Sequence, residues 1–372
     1  MKGTYAFVER LRSAGHRSSA VAVAIGLGFL GMQVANAADS SVLSKGADIS
    51  TMCGKKELRV GLSDGFGGNT WRKTVEAEVR DEASKCPNIK EVIYADAGGD
   101  QQKYNSDVNS LVAQGINVFV TFADFGDASI PQYRNALAAD VTVVPYFSKL
   151  SGTAGKDYSA NVTLDYSVSG KLWADWYGEN VKKGNLIFLG GIPGATSSVG
   201  FLDGFKDGLK KYPDLKLLSD DYIVTNWNPA DAQKAMTGLL AKYPQIDGVV
   251  TDYGVTALAV IRVFQQSDRK VPPIATVASN NELNCKFLSD KKAGKAWSYF
   301  TADGTTRLAR FALRRAVAIA EGTEDKETLA VAPYAYADSF KGKDPACNEN
   351  APPDADLSTG LPADVLAKLF KK

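Results

Sequence analysis

Short apolar runs alternate along the chain with segments whose apolar residues recur at helical spacing. The run "LRVGL" precedes a stretch in which Trp71, Val75 and Val79 share one helix face, and "EVIYADA", "INVFVTF" and "VTVVPYF" continue the alternation. A second series begins near residue 165 and contains the apolar runs "NLIFLGG", "DDYIVTN", "DGVVTDY" and "PPIATVA". Strands and helices that alternate at this spacing form right-handed crossovers and mostly parallel sheets. The pattern predicts an α/β fold with two doubly wound parallel-sheet lobes.

The first 37 residues differ in composition from the rest of the chain. A basic start is followed by residues 20–32, which are all apolar or small, and an A-x-A cleavage motif stands at residues 35–37. This combination is typical of a secretory signal peptide. The apolar run is also shorter than the roughly 20 residues of a membrane-spanning helix. We therefore expect residues 1–37 to be a signal peptide that is removed on export.

Four cysteines lie in the part of the chain that would be exported: Cys53, Cys86, Cys285 and Cys347. An even number of cysteines in an exported protein predicts disulfides. Three pairings are possible, and the pairing of sequence neighbours is favoured because short loops lose less entropy on closure. None of the spacings is C-x-x-C, so the sequence indicates neither a zinc ribbon nor a thioredoxin-like site.

The composition of the exported part disfavours several classes of chemistry. The only histidine, His16, lies in the predicted signal peptide, so no Ser-His-Asp or Cys-His pair and no histidine metal ligand would remain. The string "GGIPGATSSVG" has the spacing G-G-x-x-G instead of that of a dinucleotide loop, and we interpret it as a tight strand–helix turn. The exported part, residues 38–372, has a net charge of about −2 and no run of basic residues, which argues against nucleic acid as a partner.

Five segments between Glu57 and about Asp338 follow one another in a characteristic order and spacing: "LRVGLSDGFGGNTWRKTVEAEVRDEA", "GGDQQKYNSDVNSLVAQGINVFV", "NVTLDYSVSGKLWADW", "GGIPGATSSVGFLDGFKDGL" and "WNPADAQKAMTGLLAKYPQIDGVVTDYGVTALAVIRVFQ". In this order and spacing the chain resembles the periplasmic substrate-binding proteins of the ribose-type sugar ABC transporter family. Members of this family have two α/β lobes joined by three crossing strands, with the ligand in the cleft between the lobes.

The resemblance also implies a division of the chain into lobes. The N-terminal lobe would comprise residues 57–163 plus 299–332, and the C-terminal lobe residues 164–298 plus 333–372. The three crossings between the lobes would fall near residues 162–165, 297–301 and 331–336.

The resemblance implies candidate ligand-binding residues near the carboxyl ends of strands, where open α/β sheets bind ligands. Aromatic side chains would contact the C–H faces of a sugar, and amide or carboxylate groups would bind its hydroxyls. Asn69 is in addition expected to cap the following helix. The candidates are Asn69, Trp71, Asp124, Phe147, Trp227, Asp252 and Asn280.

Most of these candidates could instead have a role in the fold that involves no ligand. Trp71 could be a core residue, and Trp227 could be a turn residue. Asp252 could cap the helix that follows its strand. Asp124 could lie in a solvated loop, and its neighbour Asp127 could reach the cleft instead.

The sequence also departs from the family pattern. Tyr146 and Phe147 stand where the family commonly has an acidic residue and an arginine, so a ligand held by a cation is not expected. Arg72 is predicted to be solvated, since it points away from Trp71 on the helix. Asn281 could face the cleft in place of Asn280.

Together these features predict a non-enzymatic receptor that captures a neutral monosaccharide or polyol in the periplasm by lobe closure and delivers it to an ABC permease. We expect a monomer without a cofactor or metal ion. Two alternatives stay open. One is an exported α/β enzyme that acts through carboxylates such as Asp124 and Asp252, and the other is a ligand-binding protein for a chemoreceptor.

Overall fold

The computed structural model describes residues 43–371, so the predicted signal peptide lies outside the described residues. Within that range, no helix combines the length and apolar character needed to cross a membrane. The strands are β1 Leu58–Asp64, β2 Ile89–Asp96, β3 Val118–Phe122, β4 Thr142–Phe147, β5 Val162–Leu164, β6 Gly184–Gly190, β7 Leu215–Leu217, β8 Ile223–Val224, β9 Gly248–Thr251, β10 Ile274–Val277, β11 Tyr299–Asp303, β12 Ala330–Val331 and β13 Tyr334–Asp338. The α-helices are α1 Thr70–Ala83, α2 Gln101–Ala113, α3 Ile130–Ala138, α4 Tyr166–Asn180, α5 Thr196–Leu209, α6 Pro229–Lys242, α7 Gly254–Gln266, α8 Asn281–Lys292, α9 Leu308–Glu321 and α10 Ala363–Leu369.

The first lobe is built on a six-stranded parallel sheet in the order β12-β5-β4-β3-β1-β2. Successive side chains of a strand point to opposite faces, and β3 shows this directly. Val118 and Val120 belong to the same core cluster as Val75 and Val79 of α1, whereas Phe119 packs in a second cluster with α2 and α3. Both faces of the sheet are therefore covered by helices, as a doubly wound sheet requires.

The second lobe contains a seven-stranded sheet in the order β13-β11-β10-β9-β6-β7, with β8 paired beside β6. All of its strands are parallel except β13, which runs antiparallel to β11. The two lobes with mainly parallel sheets confirm the predicted fold class.

The chain passes between the sheets at three places close to the predicted ones. It leaves the first sheet after β5, returns after β11, and leaves again between β12 and β13. The strand β11 was expected to begin the return to the first lobe, but it pairs with β10 and β13 inside the second sheet. Because β11 is hydrogen-bonded on both sides within the second sheet, the chain turns back toward the first lobe only after it, at Gly304.

The helices α4 and α5 form the most closely packed pair of the second lobe. A Cβ atom on Gly170 of α4 would lie 2.2 Å from the backbone nitrogen of Phe205 in α5, so glycine is required for this approach. Trp173 is fully buried beside these helices, and its indole N–H donates to the carbonyl of Thr276 at 3.0 Å. This hydrogen bond ties α4 to β10 of the second sheet.

Two disulfides join sequence neighbours, Cys53 to Cys86 and Cys285 to Cys347, which confirms the favoured pairing. The segment after residue 338 is largely irregular, and Cys347 ties it to α8. Its last helix, α10, was expected in the C-terminal lobe but packs against α1 of the first lobe. The reason is that Thr359 and Gly360 hydrogen-bond to Glu78 of α1, which directs the chain back across the three crossings, here called the hinge, to the first lobe.

Candidate functional site

The loop between β1 and α1 presents a tryptophan beside a helix cap. The Asn69 side chain accepts a hydrogen bond from the backbone N–H of Arg72 at 2.9 Å, which confirms its predicted role as N-cap. The cap fixes the first turn of α1 and with it the position of Trp71, which is half-buried. Whether Asn69 also contacts a ligand stays a prediction.

Three aromatic rings form a platform at this edge of the first sheet. Phe122 and Phe147 stack with ring centroids 4.6 Å apart, and Trp71 meets each of them edge-on at 5.9 Å. Phe147 has φ +80°, a left-handed conformation that is rare for an aromatic residue. Such outliers persist only where the surrounding structure enforces them, and they cluster at functional sites.

Arg72 is buried, contrary to the prediction that it is solvated. Its guanidinium bridges Asp64 at 2.9 Å and Asp124 at 2.6 Å, and its centre lies 3.7 Å from the ring centroid of Phe122. The helix face next to Trp71 points at the ends of β1 and β3, where these two carboxylates provide the compensating charge. The prediction considered only neighbours along α1, and for that reason it missed partners that come from other strands.

The carboxylate of Asp124 lies in this cluster and not in a solvated loop. Its second oxygen accepts a hydrogen bond from the backbone N–H of Gly65 at 2.6 Å. Burial raises the pKa of Asp124 and raises that of Asp64 to about 6, while the charge of Arg72 acts in the opposite direction. Two carboxylates thus share one guanidinium, and the cluster offers no excess positive charge to a ligand.

The second lobe presents Trp227 together with Asp252. The indole N–H of Trp227 donates to Asp252 at 3.0 Å, and the hydroxyl of Ser198 donates to the other carboxylate oxygen at 2.5 Å. A Cβ atom on Gly191 would lie 2.0 Å from the indole of Trp227, so the turn after β6 needs glycine to make room for this ring. This close approach gives a reason for Gly191 in the strand–helix turn predicted from "GGIPGATSSVG".

Asp252 is buried, and burial raises its pKa to about 6 even though the hydrogen bonds from Ser198 and Trp227 favour the ionised form. The following helix α7 has Tyr253 as its N-cap residue, so the alternative interpretation of Asp252 as its cap does not hold. Asp252 instead holds the indole plane of Trp227, whose backbone is also left-handed with φ +51°.

The two asparagines at the start of α8 have structural contacts. Asn280 caps the helix by accepting from the backbone N–H of Leu283 at 2.9 Å. The Asn281 side chain donates to the carbonyl of Asn348 at 2.7 Å and thus binds the C-terminal segment. Ligand contact by Asn280 stays a prediction.

The peptide at the second crossing connects the two halves of the candidate site. Asp303, the last residue of β11, accepts hydrogen bonds from the backbone N–H of Ser279 at 3.0 Å and from its hydroxyl at 2.5 Å. Two residues later, the hydroxyl of Thr305 accepts from the indole N–H of Trp71 at 3.2 Å. The lobes also meet where the Tyr166 hydroxyl donates to the carbonyl of Phe147 at 3.2 Å.

Several of these residues were missed by reasoning from the sequence, although a signal was available for most of them. Asp64, Phe122 and Asp303 are each the last residue of a strand, and Asp252 directly follows one. Applied to the observed strands, the strand-end criterion finds all three, although the predicted run "LRVGL" stops two residues before Asp64. Arg72 carried no such signal, because its partners lie on strands distant in sequence.

Comparison with known proteins agrees with this architecture. A family model described as a periplasmic binding protein domain matches residues 60–324. The xylitol-binding protein of Mycolicibacterium smegmatis is 28% identical over 205 residues, which are 54% of this chain and 56% of that protein. The galactofuranose-binding protein of Escherichia coli is 26% identical over 174 residues, 46% of this chain and 54% of that protein. The chain therefore spans little more than half the length of these two relatives.

A solved structure shows the same fold. The periplasmic solute-binding protein of an ABC transporter from Actinobacillus succinogenes, solved with D-allose bound, superimposes with a TM-score of 0.62 at 19% identity. The superposition covers 75% of this chain and 96% of that one. With a family model that matches most of the sequence and a fold of two mainly parallel lobes, the chain belongs to the ribose-type periplasmic binding protein family.

Proposed function

We propose that the protein is a non-enzymatic periplasmic receptor that binds a neutral monosaccharide or polyol between its lobes and delivers it to an ABC permease. The observation that carries the proposal is that each lobe holds an indole by a hydrogen bond near the carboxyl ends of its strands. Trp71 is held by Thr305 at the hinge, and Trp227 is held by Asp252. Two such rings, one in each lobe, suit the two apolar C–H faces of a sugar ring.

The charges in the first lobe favour a neutral ligand. Arg72 is the cation nearest to the aromatic platform, and its charge is compensated by Asp64 and Asp124. An anionic sugar would have to compete with both carboxylates for the guanidinium. We therefore expect sugar acids and sugar phosphates to bind far more weakly than neutral sugars.

The polar groups of the second lobe suit hydroxyls. Each oxygen of a carboxylate has two lone pairs, so Asp252 can accept a hydrogen bond from a ligand while it holds Ser198 and Trp227. Asp252 would then both orient an aromatic plane and bind a hydroxyl next to it.

The cellular role rests on family membership together with the predicted signal peptide. Relatives named as xylitol-binding and galactofuranose-binding proteins, and a fold relative solved with D-allose, support polyols and monosaccharides as the ligand class. A receptor of this kind acts as a monomer that offers its closed lobes to the permease.

Calorimetric titration of the mature protein with neutral pentoses, hexoses and polyols tests the proposal, with the corresponding sugar acids as controls. We expect one or a few neutral compounds to bind and to be recovered unchanged by mass spectrometry. Chemical conversion of the ligand would contradict the receptor and support the enzyme alternative.

Intrinsic fluorescence tests the assignment of the two indoles. Trp173, Trp176 and Trp297 are buried and provide a constant background. Saturating ligand should change the emission of the wild type, whereas the Trp71→Phe, Trp227→Phe double variant should lose most of that change. A full response in the double variant would remove both residues from the site.

A further inference from the structure

The C-terminal residues 348–360, here called the strap, are fastened to the second lobe at the start of α8. The Cys285–Cys347 disulfide joins the segment to this helix one residue before the strap begins. The backbone N–H groups of Asn281 and Glu282 donate to carbonyls of the strap, each at 2.8 Å. The first backbone N–H groups of a helix have no partner within the helix. The strap therefore satisfies donors that α8 itself cannot.

The other end of the strap is fastened to the first lobe. The Thr359 hydroxyl and the Gly360 backbone N–H both donate to Glu78 of α1, at 2.5 and 2.6 Å. Arg307, which precedes α9, donates to the carbonyls of Ser358 and Thr359 at 3.0 and 2.9 Å. Glu78 is fully buried, so these contacts lie inside the first lobe.

Between these two ends, the strap contacts the hinge itself. The backbone N–H of Gly304 donates to the hydroxyl of Ser358 at 2.9 Å, and that hydroxyl donates to Asp356 at 2.6 Å. Gly304 lies between Asp303 and Thr305, the residues that contact Ser279 and Trp71. Tyr334 and Tyr336, which follow the third crossing, donate to the strap carbonyls of Ser358 and Leu357, each at 3.2 Å. The strap thus contacts two of the three crossings.

Asp356 is an unusual residue for such a position. It is 1% exposed, and its second carboxylate oxygen has no hydrogen-bond partner within the described residues. Burial and the nearby charge of Asp303 raise its pKa to about 7. The other titratable or charged groups around it are Glu78, Arg307, Tyr253, Tyr334 and Tyr336.

We infer that the strap is a positioning element of the ligand site, which holds residues 303–305 in the conformation that places Asp303 and Trp71. The inference rests on the proposed function, since it concerns the same cleft. Three crossing strands alone leave the lobes free to bend, whereas a fourth connection fastened to both lobes must shift whenever they separate. The strap therefore limits opening and slows ligand release.

Two variants and one matched control test the inference. Ser358→Ala removes the acceptor for the Gly304 N–H, and Asp356→Asn removes the buried charge at the hinge. Asp354→Asn makes the same chemical change two residues earlier at an exposed position. Ligand dissociation is followed by stopped-flow fluorescence, and the opening of the unliganded protein is followed by small-angle X-ray scattering.

We expect Ser358→Ala to raise the ligand dissociation rate about tenfold, the effect of one lost hydrogen bond to a buried N–H, and to enlarge the radius of gyration of the unliganded protein. Asp354→Asn should match the wild type in both measurements. The wild-type dissociation rate is expected to change between pH 6 and pH 8, where Asp356 titrates, and Asp356→Asn should reduce that change.

Unchanged dissociation and unchanged scattering in Ser358→Ala would overturn the inference, even if the melting temperature fell, because the strap would then be a structural brace only. If no sugar or polyol binds the wild type, the proposed function fails. The scattering measurement on the unliganded variants would still decide whether the strap restrains the lobes.

Discussion

Among the residues of the candidate site, Arg72 has a central electrostatic role, because two buried carboxylates depend on its charge. Asp64 and the side chain of Asp124 are almost inaccessible to solvent, and both contact the guanidinium directly. Removal of one partner from a buried ion pair leaves a charge that neither water nor protein compensates. Arg72 is thus expected to be required for folding of the first lobe as well as for the shape of the aromatic platform.

The variant Arg72→Met should lower the free energy of unfolding by about 3–5 kcal/mol at pH 7. The loss should be smaller at pH 5, because carboxyl groups with raised pKa values take up protons more readily there. Urea unfolding at both pH values measures this. Arg80→Ala serves as control, since it removes an exposed ion pair with Glu76 on the same helix and should cost less than about 1 kcal/mol. Equal losses in the two variants would contradict the assignment.

The raised pKa of Asp252 predicts that the free energy of unfolding depends on pH. Its folded-state pKa of about 6 lies above the value of about 3.9 in an unfolded chain, so the native state favours the protonated acid. The stability contributed by this group is complete below pH 4 and is lost as the pH rises through 6. Relative to wild type, Asp252→Asn should therefore gain up to about 3 kcal/mol between pH 4 and pH 8.

Urea unfolding of the wild type and Asp252→Asn across this range checks the prediction. The exposed carboxylate of Asp221 provides the control, and Asp221→Asn should follow the wild-type profile. If the Asp252→Asn profile ran parallel to that of the wild type, the pKa of Asp252 would not be raised in the folded state.

At the scale of secondary-structure elements, the turn between β6 and α5 leaves space for the side chain of Trp227, which comes from a separate loop. The indole packs directly over Gly191, which has no side chain to obstruct it. The ring is thus positioned by a glycine from one loop and by a carboxylate from the end of β9.

Gly191→Ala should displace the indole and weaken ligand binding about tenfold or more, because its added methyl group would overlap the ring. Far-ultraviolet circular dichroism should show an unchanged fold. Gly238→Ala in α6 is the matched control, since a Cβ atom there meets nothing within 4 Å, and it should leave affinity intact. Wild-type affinity in Gly191→Ala would mean that the ligand does not use Trp227.

At the scale of the whole molecule, the two lobes are connected by three crossings and by the strap. Ligand binding between the lobes should shift the protein toward a closed form, because only the closed form contacts the ligand from both sides. X-ray scattering should therefore show a smaller radius of gyration at saturating ligand. Binding without any change in that radius would indicate a site confined to one lobe.

The amino-acid sequence was sufficient to predict the fold class, because the alternation of apolar runs and helical stripes is a local property of the chain. It also determined the cap formed by Asn69, since a side chain three residues from the N–H that it binds needs no tertiary information. The preference for disulfides between sequence neighbours followed from loop entropy. The family resemblance directed attention to Asp252 and Phe147 near strand ends, and their contact with a ligand stays a prediction.

Which of these groups meet depends on how the strands and helices pack together. Arg72 is buried because β1 and β3 bring Asp64 and Asp124 to α1, and ion pairs across separate strands leave no periodic trace in the sequence. The placement of β11 in the second sheet and the path of the strap across the hinge were equally hidden. Both depend on which sheet edges and helix ends lack hydrogen-bond partners once the sheets have formed. Those unpaired groups can be identified only in the folded chain.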